Sequence, residues 1–225
     1  MTMTTVDTES PATIMVIDDH PLLRRGVRQL LEIEDDLTLV FDTGSPREGL
    51  EQALAQEPDM LLLDLNMPEI DGLELLRRLR DGGFAGRIIM YTVSDQEDNV
   101  VDALRSGADG YLLKDMEPEE LVHQLRQATL GRMAISDDLT NLLARALRSQ
   151  RHAETAPTLD VLTRREREIL HELAAGMSNK LIARKLEITE GTVKVHVKHL
   201  LKKLRLRSRV EAAVWAVQQG LAPDH

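Results

Sequence analysis

The first 130 residues alternate between short apolar runs and longer stretches in which apolar residues recur every three or four positions. The clearest run covers residues 60–63, Met-Leu-Leu-Leu, and ends at Asp64, just before the turn signal of Asn66 and Pro68. An apolar run this short, closed by a turn, predicts a buried strand of a parallel sheet. Similar runs predict four more strands, at residues 13–17, 37–41, 87–91 and 110–113.

Helical spacing fills the intervals between these strands. One helix follows Pro21, and the others are predicted at residues 46–55, 72–80, 99–106 and 117–130. Strands that alternate with helices along a chain form a parallel sheet with right-handed crossovers. The fold predicted for this part of the chain is therefore α/β, a doubly wound five-stranded parallel sheet.

The last third of the chain has the pattern of a small all-α domain. Thr163 followed by Glu166 three residues later is a capping-box signature, and Ser178 and Thr189 are N-caps for two more helices. A fourth helix is predicted at residues 208–219. Two short helices joined by a tight turn before Thr189 predict a helix-turn-helix.

Three segments lie outside these two patterns. Residues 1–11 are polar and are expected to form a disordered tail. Apolar residues at helical spacing predict a short linker helix over 137–148, and the polar residues 149–157 predict a flexible tether. The expected division is a tail 1–11, a first domain 12–130, a linker 131–157 and a second domain 158–225.

Composition and charge sharpen this division. Residues 1–135 carry a net charge of −15 and residues 158–225 a net charge of +5, so the two domains are expected to meet different partners, and the basic one nucleic acid. The chain has no cysteine, which excludes disulfides, thiol catalysis and cysteine-ligated metals. It has no apolar run of membrane-spanning length and no signal-peptide pattern, so we expect a soluble cytoplasmic protein.

Polar residues follow the predicted strands at one edge of the sheet. They are Asp18 and Asp19, Asp64, Thr92 and Lys114. Three carboxylates beside an ammonium group form an oxygen-rich cation site, and Mg²⁺ suits it because it takes few protein ligands and is usually found with phosphate oxygens. A carboxylate beside Mg²⁺ is also a plausible phosphoryl acceptor.

These residues, at these spacings, resemble the receiver domain of two-component response regulators over about residues 12–130. The resemblance implies a flavodoxin-like receiver in which Asp64 accepts phosphate from a sensor histidine kinase. It implies that Asp18, Asp19, Asp64 and Asn66 hold Mg²⁺, with Lys114 on the phosphoryl group, and that Thr92 and Tyr111 rearrange as switch residues. Asp115 follows Lys114 where many receivers have proline, so a cis peptide is not expected there.

The third helix of the second domain carries a basic stripe. Lys194, Lys198 and Lys202 recur every four residues beside Val195, and no acid interrupts residues 192–206. In a helix-turn-helix, lysines near the start of the second helix reach base edges or phosphates, those further along meet phosphate, and an apolar side chain contacts thymine methyls. A solvated basic face is the alternative for any single lysine.

The second domain resembles the LuxR-type DNA-binding domain of the NarL/FixJ class over about residues 158–221. The resemblance is carried by Leu162 to Glu168 and by Thr192 to His199. It implies that Lys194, Val195 and Lys198 read bases and that the last helix forms a homodimer on DNA through Val210 and Val214. The stretches 114–119, 193–203 and 208–215 match more closely the nitrate/nitrite response regulators within that class.

The function expected is a phosphorylation-activated transcriptional regulator of nitrate- and nitrite-responsive genes that binds double-stranded promoter DNA. Three alternatives remain at this point. A paralogous regulator answering another sensor kinase has the same motifs. An aspartate-nucleophile phosphohydrolase would need an acid two residues after Asp64, where this chain has Asn66. A phosphate-independent DNA binder would have no use for the intact set of strand-end residues. We therefore expect that the protein is not an enzyme.

Overall fold

The computed structural model describes residues 10–130, 134–135 and 159–221. Its strands form one parallel sheet in the order β2-β1-β3-β4-β5-β6. They are β1 (Ala12–Ile17), β2 (Leu37–Thr43), β3 (Met60–Leu63), β4 (Arg87–Thr92), β5 (Gly110–Leu113) and β6 (Ala134–Ile135). The five predicted strands and the α/β class are confirmed. The two-residue β6 was missed, because two residues have no periodicity to read.

Five helices cover the two faces of the sheet. They are α1 (Pro21–Glu32), α2 (Pro46–Gln56), α3 (Gly72–Asp81), α4 (Glu97–Ser106) and α5 (Pro118–Thr129). Helices α2, α3 and α4 pack on one face in a core that includes Leu61, Leu63 and Tyr111. Helices α1 and α5 pack on the other face against Leu62 and Leu112. Because β3 is covered on both sides, its four residues are all apolar and fully buried.

The C-terminal part is all-helical, as predicted. A short 3₁₀ helix, Leu159–Val161, precedes α6 (Arg164–Ala174), α7 (Asn179–Lys185), α8 (Glu190–Leu204) and α9 (Arg209–Gln218). The capping box predicted at Thr163 and Glu166 is present, since each side chain accepts a hydrogen bond from the other residue's backbone amide. The predicted core stripe of α8 is buried: Val193, Val197, Leu200, Leu201 and Leu204.

Some predictions concern residues that the structure does not describe. Most of the tail, the helix over 137–148 and the tether over 149–157 lie outside the described residues, and the domain boundaries remain a prediction. Across the described ranges, no helix is both long enough and apolar enough to cross a membrane. No cis peptide occurs in those ranges, which includes the bond between Lys114 and Asp115.

Candidate functional site

The carboxyl ends of β1, β3 and β5 bring Asp18, Asp64 and Lys114 together. The Lys114 Nζ lies 2.7 Å from Asp18 Oδ2 and 2.9 Å from Asp64 Oδ2. All three side chains are at most 6% exposed. Two buried carboxylates this close would repel each other, so the ammonium between them offsets much of that cost.

Asp19 and His20 complete an acidic cluster on the open side of this pair. Ligand atoms of Asp18, Asp19, His20 and Asp64 all lie within 4.8 Å of one another. Among the described residues, Asp18 Oδ2, Asp19 Oδ1 and Asp64 Oδ2 are buried carboxylate oxygens without a well-aligned hydrogen bond. Such oxygens are the ligands that hard divalent cations prefer. The residues present therefore fit a Mg²⁺ site.

His20 was not among the predicted site residues. Its Nδ1 lies 2.8 Å from Asp19 Oδ1 and 3.2 Å from Asp18 Oδ1, although 64% of its side chain is exposed. Its position directly after Asp18 and Asp19 was the only sequence signal, and adjacency alone does not say where a side chain points.

The start of α3 fixes the backbone around Asp64. The Asp64 amide donates to the Ile17 carbonyl, and the Leu65 amide donates to Asp64 Oδ1 at 2.8 Å. Gly72 passes so close that a Cβ there would lie 2.1 Å from the Asp64 carbonyl oxygen. Only glycine permits this approach, so α3 begins against the exit of β3 and holds the site in place.

Thr92 and Tyr111 lie on the strands next to this cluster. Thr92 is fully buried, and its carbonyl accepts from the Lys114 amide at 2.9 Å. The Tyr111 hydroxyl donates to the Ser94 carbonyl at 2.8 Å, and burial raises the pKa of Tyr111 to about 12. Both residues therefore adjoin the loop after β4. Asn66 lies exposed on the loop after β3.

The basic stripe of α8 does not face solvent along its whole length. Val195, Lys198 and Lys202 are exposed. Lys194 is only 18% exposed, because its Nζ lies 3.1 Å from Asp59 Oδ1 and donates to the Glu57 carbonyl at 2.9 Å. Asp59 directly precedes β3, so the start of the predicted recognition helix is docked on the α/β domain.

A second contact brings α8 against the end of α3. Gly83 follows α3 with φ of 84°, and a Cβ built there would lie 2.3 Å from Lys198 Cε. The methylene chain of Lys198 therefore lies directly on the backbone of the α/β domain. The sequence indicated neither contact, because the pattern within each domain does not say which surfaces of the two domains meet.

Comparison with known proteins decides the family. The profile for the response regulator receiver domain matches residues 14–126, and that for bacterial regulatory proteins of the luxR family matches residues 160–216. The nitrate/nitrite response regulator protein NarL of Escherichia coli K12 is 54% identical over 213 residues, which is 95% of this chain and 98% of that protein. The chain belongs to the response regulators with a LuxR-type DNA-binding domain.

Two further comparisons agree with this membership. The nitrate/nitrite response regulator protein NarP of Escherichia coli K12 is 45% identical over 93% of this chain and 96% of its own length. A solved structure of a LuxR-family two-component response regulator from Aurantimonas sp. SI85-9A1 matches with a TM-score of 0.57 and 32% identity, over 63% of this chain and all of that one. The prediction of a DNA-binding response regulator is confirmed.

Proposed function

We propose that this response regulator is held inactive by docking of α8 on the receiver, and that phosphorylation of Asp64 by a sensor histidine kinase releases the helix to bind promoter DNA. The observation that carries the proposal is Lys194, whose ammonium is bound by Asp59 and the Glu57 carbonyl. That lysine is not available to a base or a phosphate while α8 is docked, so docking and DNA binding exclude each other.

The buried pair at the phosphorylation site supports the receiver half of the proposal. Asp64 is the acceptor, and Asp18, Asp19, Asp64 and the Asn66 backbone would hold Mg²⁺. A bound Mg²⁺ would supply positive charge beside the phosphoryl oxygens. Lys114, now within 2.9 Å of Asp64 Oδ2, follows the new phosphoryl group as its counter-ion. Thr92 and Tyr111 then rearrange around the loop that Tyr111 contacts through the Ser94 carbonyl.

The basic stripe of α8 supports the DNA half of the proposal. Lys194 and Lys198, with Val195 between them, contact bases in the major groove, and Lys202, further along the helix, contacts phosphate. Val210 and Val214 lie half-buried on α9. They are less buried than Ala212, Trp215 and Ala216, the apolar residues by which α9 packs into its domain core, so they remain available for a dimer on DNA. Because DNA is its partner, we place the protein in the cytoplasm.

The signal is proposed from similarity. NarL and NarP of Escherichia coli are both named as nitrate/nitrite response regulators, and this chain matches them along more than nine-tenths of its length. We therefore propose that it controls nitrate- or nitrite-responsive genes. A paralogue that answers another kinase is the alternative, and phosphotransfer rates from candidate sensor kinases distinguish the two.

Replacing the acceptor tests the proposal. In Asp64→Asn, DNA affinity should stay at the unphosphorylated level when acetyl phosphate and Mg²⁺ are added, while that of the parent should rise at least about tenfold, by roughly 1.4 kcal/mol. The control is Asp35→Asn, an exposed residue at the opposite edge of the sheet, which should behave like the parent. An equal response from Asp64→Asn and the parent would refute the proposal.

A phosphohydrolase is the second candidate class, and the residue at position 66 argues against it. Asn66 stands two residues after Asp64, where an amide cannot serve as the acid and base of turnover. We expect each chain to take up one phosphoryl group from acetyl phosphate, with release of acetate, and the phosphorylated protein to accumulate without steady turnover of small phosphate esters.

A further inference from the structure

Two acidic side chains meet where the domains touch. Asp59 precedes β3 in the receiver, and Glu190 is the first residue of α8 in the DNA-binding domain. Both lie near the Lys194 ammonium, with Asp59 Oδ1 at 3.1 Å and Glu190 Oε1 at 3.7 Å from its Nζ. The two carboxyl groups therefore share one ammonium group at the domain boundary.

Two carboxylates that share one cation repel each other, so a proton bound by one of them relieves that repulsion. The hydrogen bonds of Asp59 indicate which group takes it. Asp59 Oδ2 already accepts from the Thr13 amide at 3.0 Å and from the Thr13 hydroxyl at 2.8 Å, and these bonds favour a charged Asp59. Glu190, which lacks such bonds from Thr13, is therefore the group that takes up the proton.

We propose that Asp59 and Glu190 form a proton-binding site across the domain boundary, and that its protonation favours the docked, DNA-excluding arrangement. The proposal rests on the docking described under Proposed function and adds a second input to it. The site is the same contact that holds Lys194, so a proton bound there acts directly on the recognition helix.

The direction of the pH effect follows from the pKa of Glu190 in the docked and released forms. Burial and the neighbouring Asp59 raise the pKa of Glu190 to about 7 in the docked form. In the released form the N-terminus of α8 favours the charged carboxylate, so its pKa is at or below the ordinary 4.5. Docking therefore takes up a proton, and the stabilisation is full below 4.5 and is lost as pH rises through about 7. The pKa of Asp59 is lowered from 3.8 in the docked form, so protonation of Asp59 opposes docking. That effect occurs only at a pH below the range used in the experiment.

Other charged groups face the same boundary. The cavity beside the pair has a volume of about 310 Å³, and its lining also includes Asp36, Arg87, Arg126, Lys180 and Arg209. Lys180 of α7 acts on Glu190 in the opposite direction to Asp59, because a cation favours the charged carboxylate. The arginines stay charged throughout this pH range. His196 and His199 also lie on α8, so the test follows Glu190 itself.

The test is a titration of the Glu190 side-chain carboxyl by carbon-13 NMR in the full unphosphorylated chain, with Glu190→Gln to assign the signal. We expect a midpoint near pH 7 in the parent and a return towards 4.5 in Asp59→Asn. Small-angle scattering with phosphodonor present should show the docked population falling about tenfold relative to the released one from pH 5.5 to 7.5. This fold-change is set below the one that the full pKa difference would give, because 34% of the Glu190 side chain is exposed and water screens its charge.

Glu190→Gln should remove this pH dependence, since an amide neither gains nor loses a proton in this pH range. An ordinary Glu190 midpoint in a chain that scattering shows to be compact would overturn the proton site and leave docking intact. A chain extended at every pH would overturn both. A pH dependence unchanged in Glu190→Gln would show that another group causes it and would also overturn the proposal.

Discussion

Two lysines each lie between two carboxylates, at opposite ends of the same strand. Lys114 lies between Asp18 and Asp64 beyond the carboxyl end of β3. Lys194 lies between Asp59 and Glu190 before its amino end. Asp59 and Asp64 are five residues apart, or roughly 16 Å along an extended strand. The first arrangement is built within one domain, whereas the second exists only while two domains touch.

Burial separates the two arrangements. The acids around Lys114 are 1–2% exposed, and those around Lys194 are 29% and 34% exposed. A buried ion pair is costly to break from one side, because the remaining charges stay in a poor solvent. A partly exposed pair contributes about 1 kcal/mol or less and separates at little cost. The arrangement around Lys114 is therefore permanent, and the domain contact is weak enough to be broken and re-formed.

The largest effect predicted from this contrast is that of Lys114→Met. It leaves two facing carboxylates with no cation, so the receiver should lose about 3 kcal/mol of unfolding free energy in urea without Mg²⁺. The matched change Lys194→Met should cost about 1 kcal/mol or less, because both acids there can reach water when the domains part. Equal losses for the two lysines would show that burial does not distinguish them.

A smaller effect is expected from Asp59→Asn, which removes the charge that Lys194 meets but keeps an oxygen for Thr13. DNA affinity of the unphosphorylated chain at pH 7.5 should rise about two- to fivefold, by 0.5–1 kcal/mol. Glu57→Gln is the matched control, because Glu57 offers Lys194 only its backbone carbonyl. If both variants bind DNA as the parent does, the Asp59 contact does not restrain α8.

The smallest effect concerns salt. Lys202 is exposed, whereas the adjacent Lys203 is held by Glu166 at 2.6 Å. Lys202→Met should lower the slope of log affinity against log salt by about 0.9, the value for one phosphate contact. Lys203→Met should leave the slope unchanged and lower the unfolding free energy instead. If only Lys203→Met lowers the slope, Lys203 rather than Lys202 contacts phosphate, and the prediction is wrong.

The sequence predicted what depends on pattern within a domain. Periodicity and capping are local properties of the chain. The sequence therefore predicted the five main strands, the capping box at Thr163 and the core stripe of α8. The meeting of Asp18, Asp64 and Lys114 was also predictable, because parallel strands end at one edge. The roles of the individual site residues remain predictions.

What the sequence did not predict depends on surfaces that meet from different parts of the chain. Asp59 carries no motif, and Glu190 has a sufficient local explanation as an acid in the first turn of a helix. The proposed proton-binding role of Asp59 and Glu190 arises only because the two residues lie close together across the domain boundary. The contact of Lys198 with Gly83 was also not predicted, because a glycine after a helix is ordinarily interpreted as a C-cap.

The most direct test of the account is the reactivity of Lys194 towards an amine-specific ester, measured by mass spectrometry with and without phosphoramidate and Mg²⁺. The exposed Lys202 serves as the internal reference. The account predicts that phosphorylation raises the reactivity of Lys194 several-fold relative to Lys202 in the parent and leaves it unchanged in Asp64→Asn. A Lys194 that reacts equally in both states of the parent would contradict the claim that phosphorylation of Asp64 releases the recognition helix.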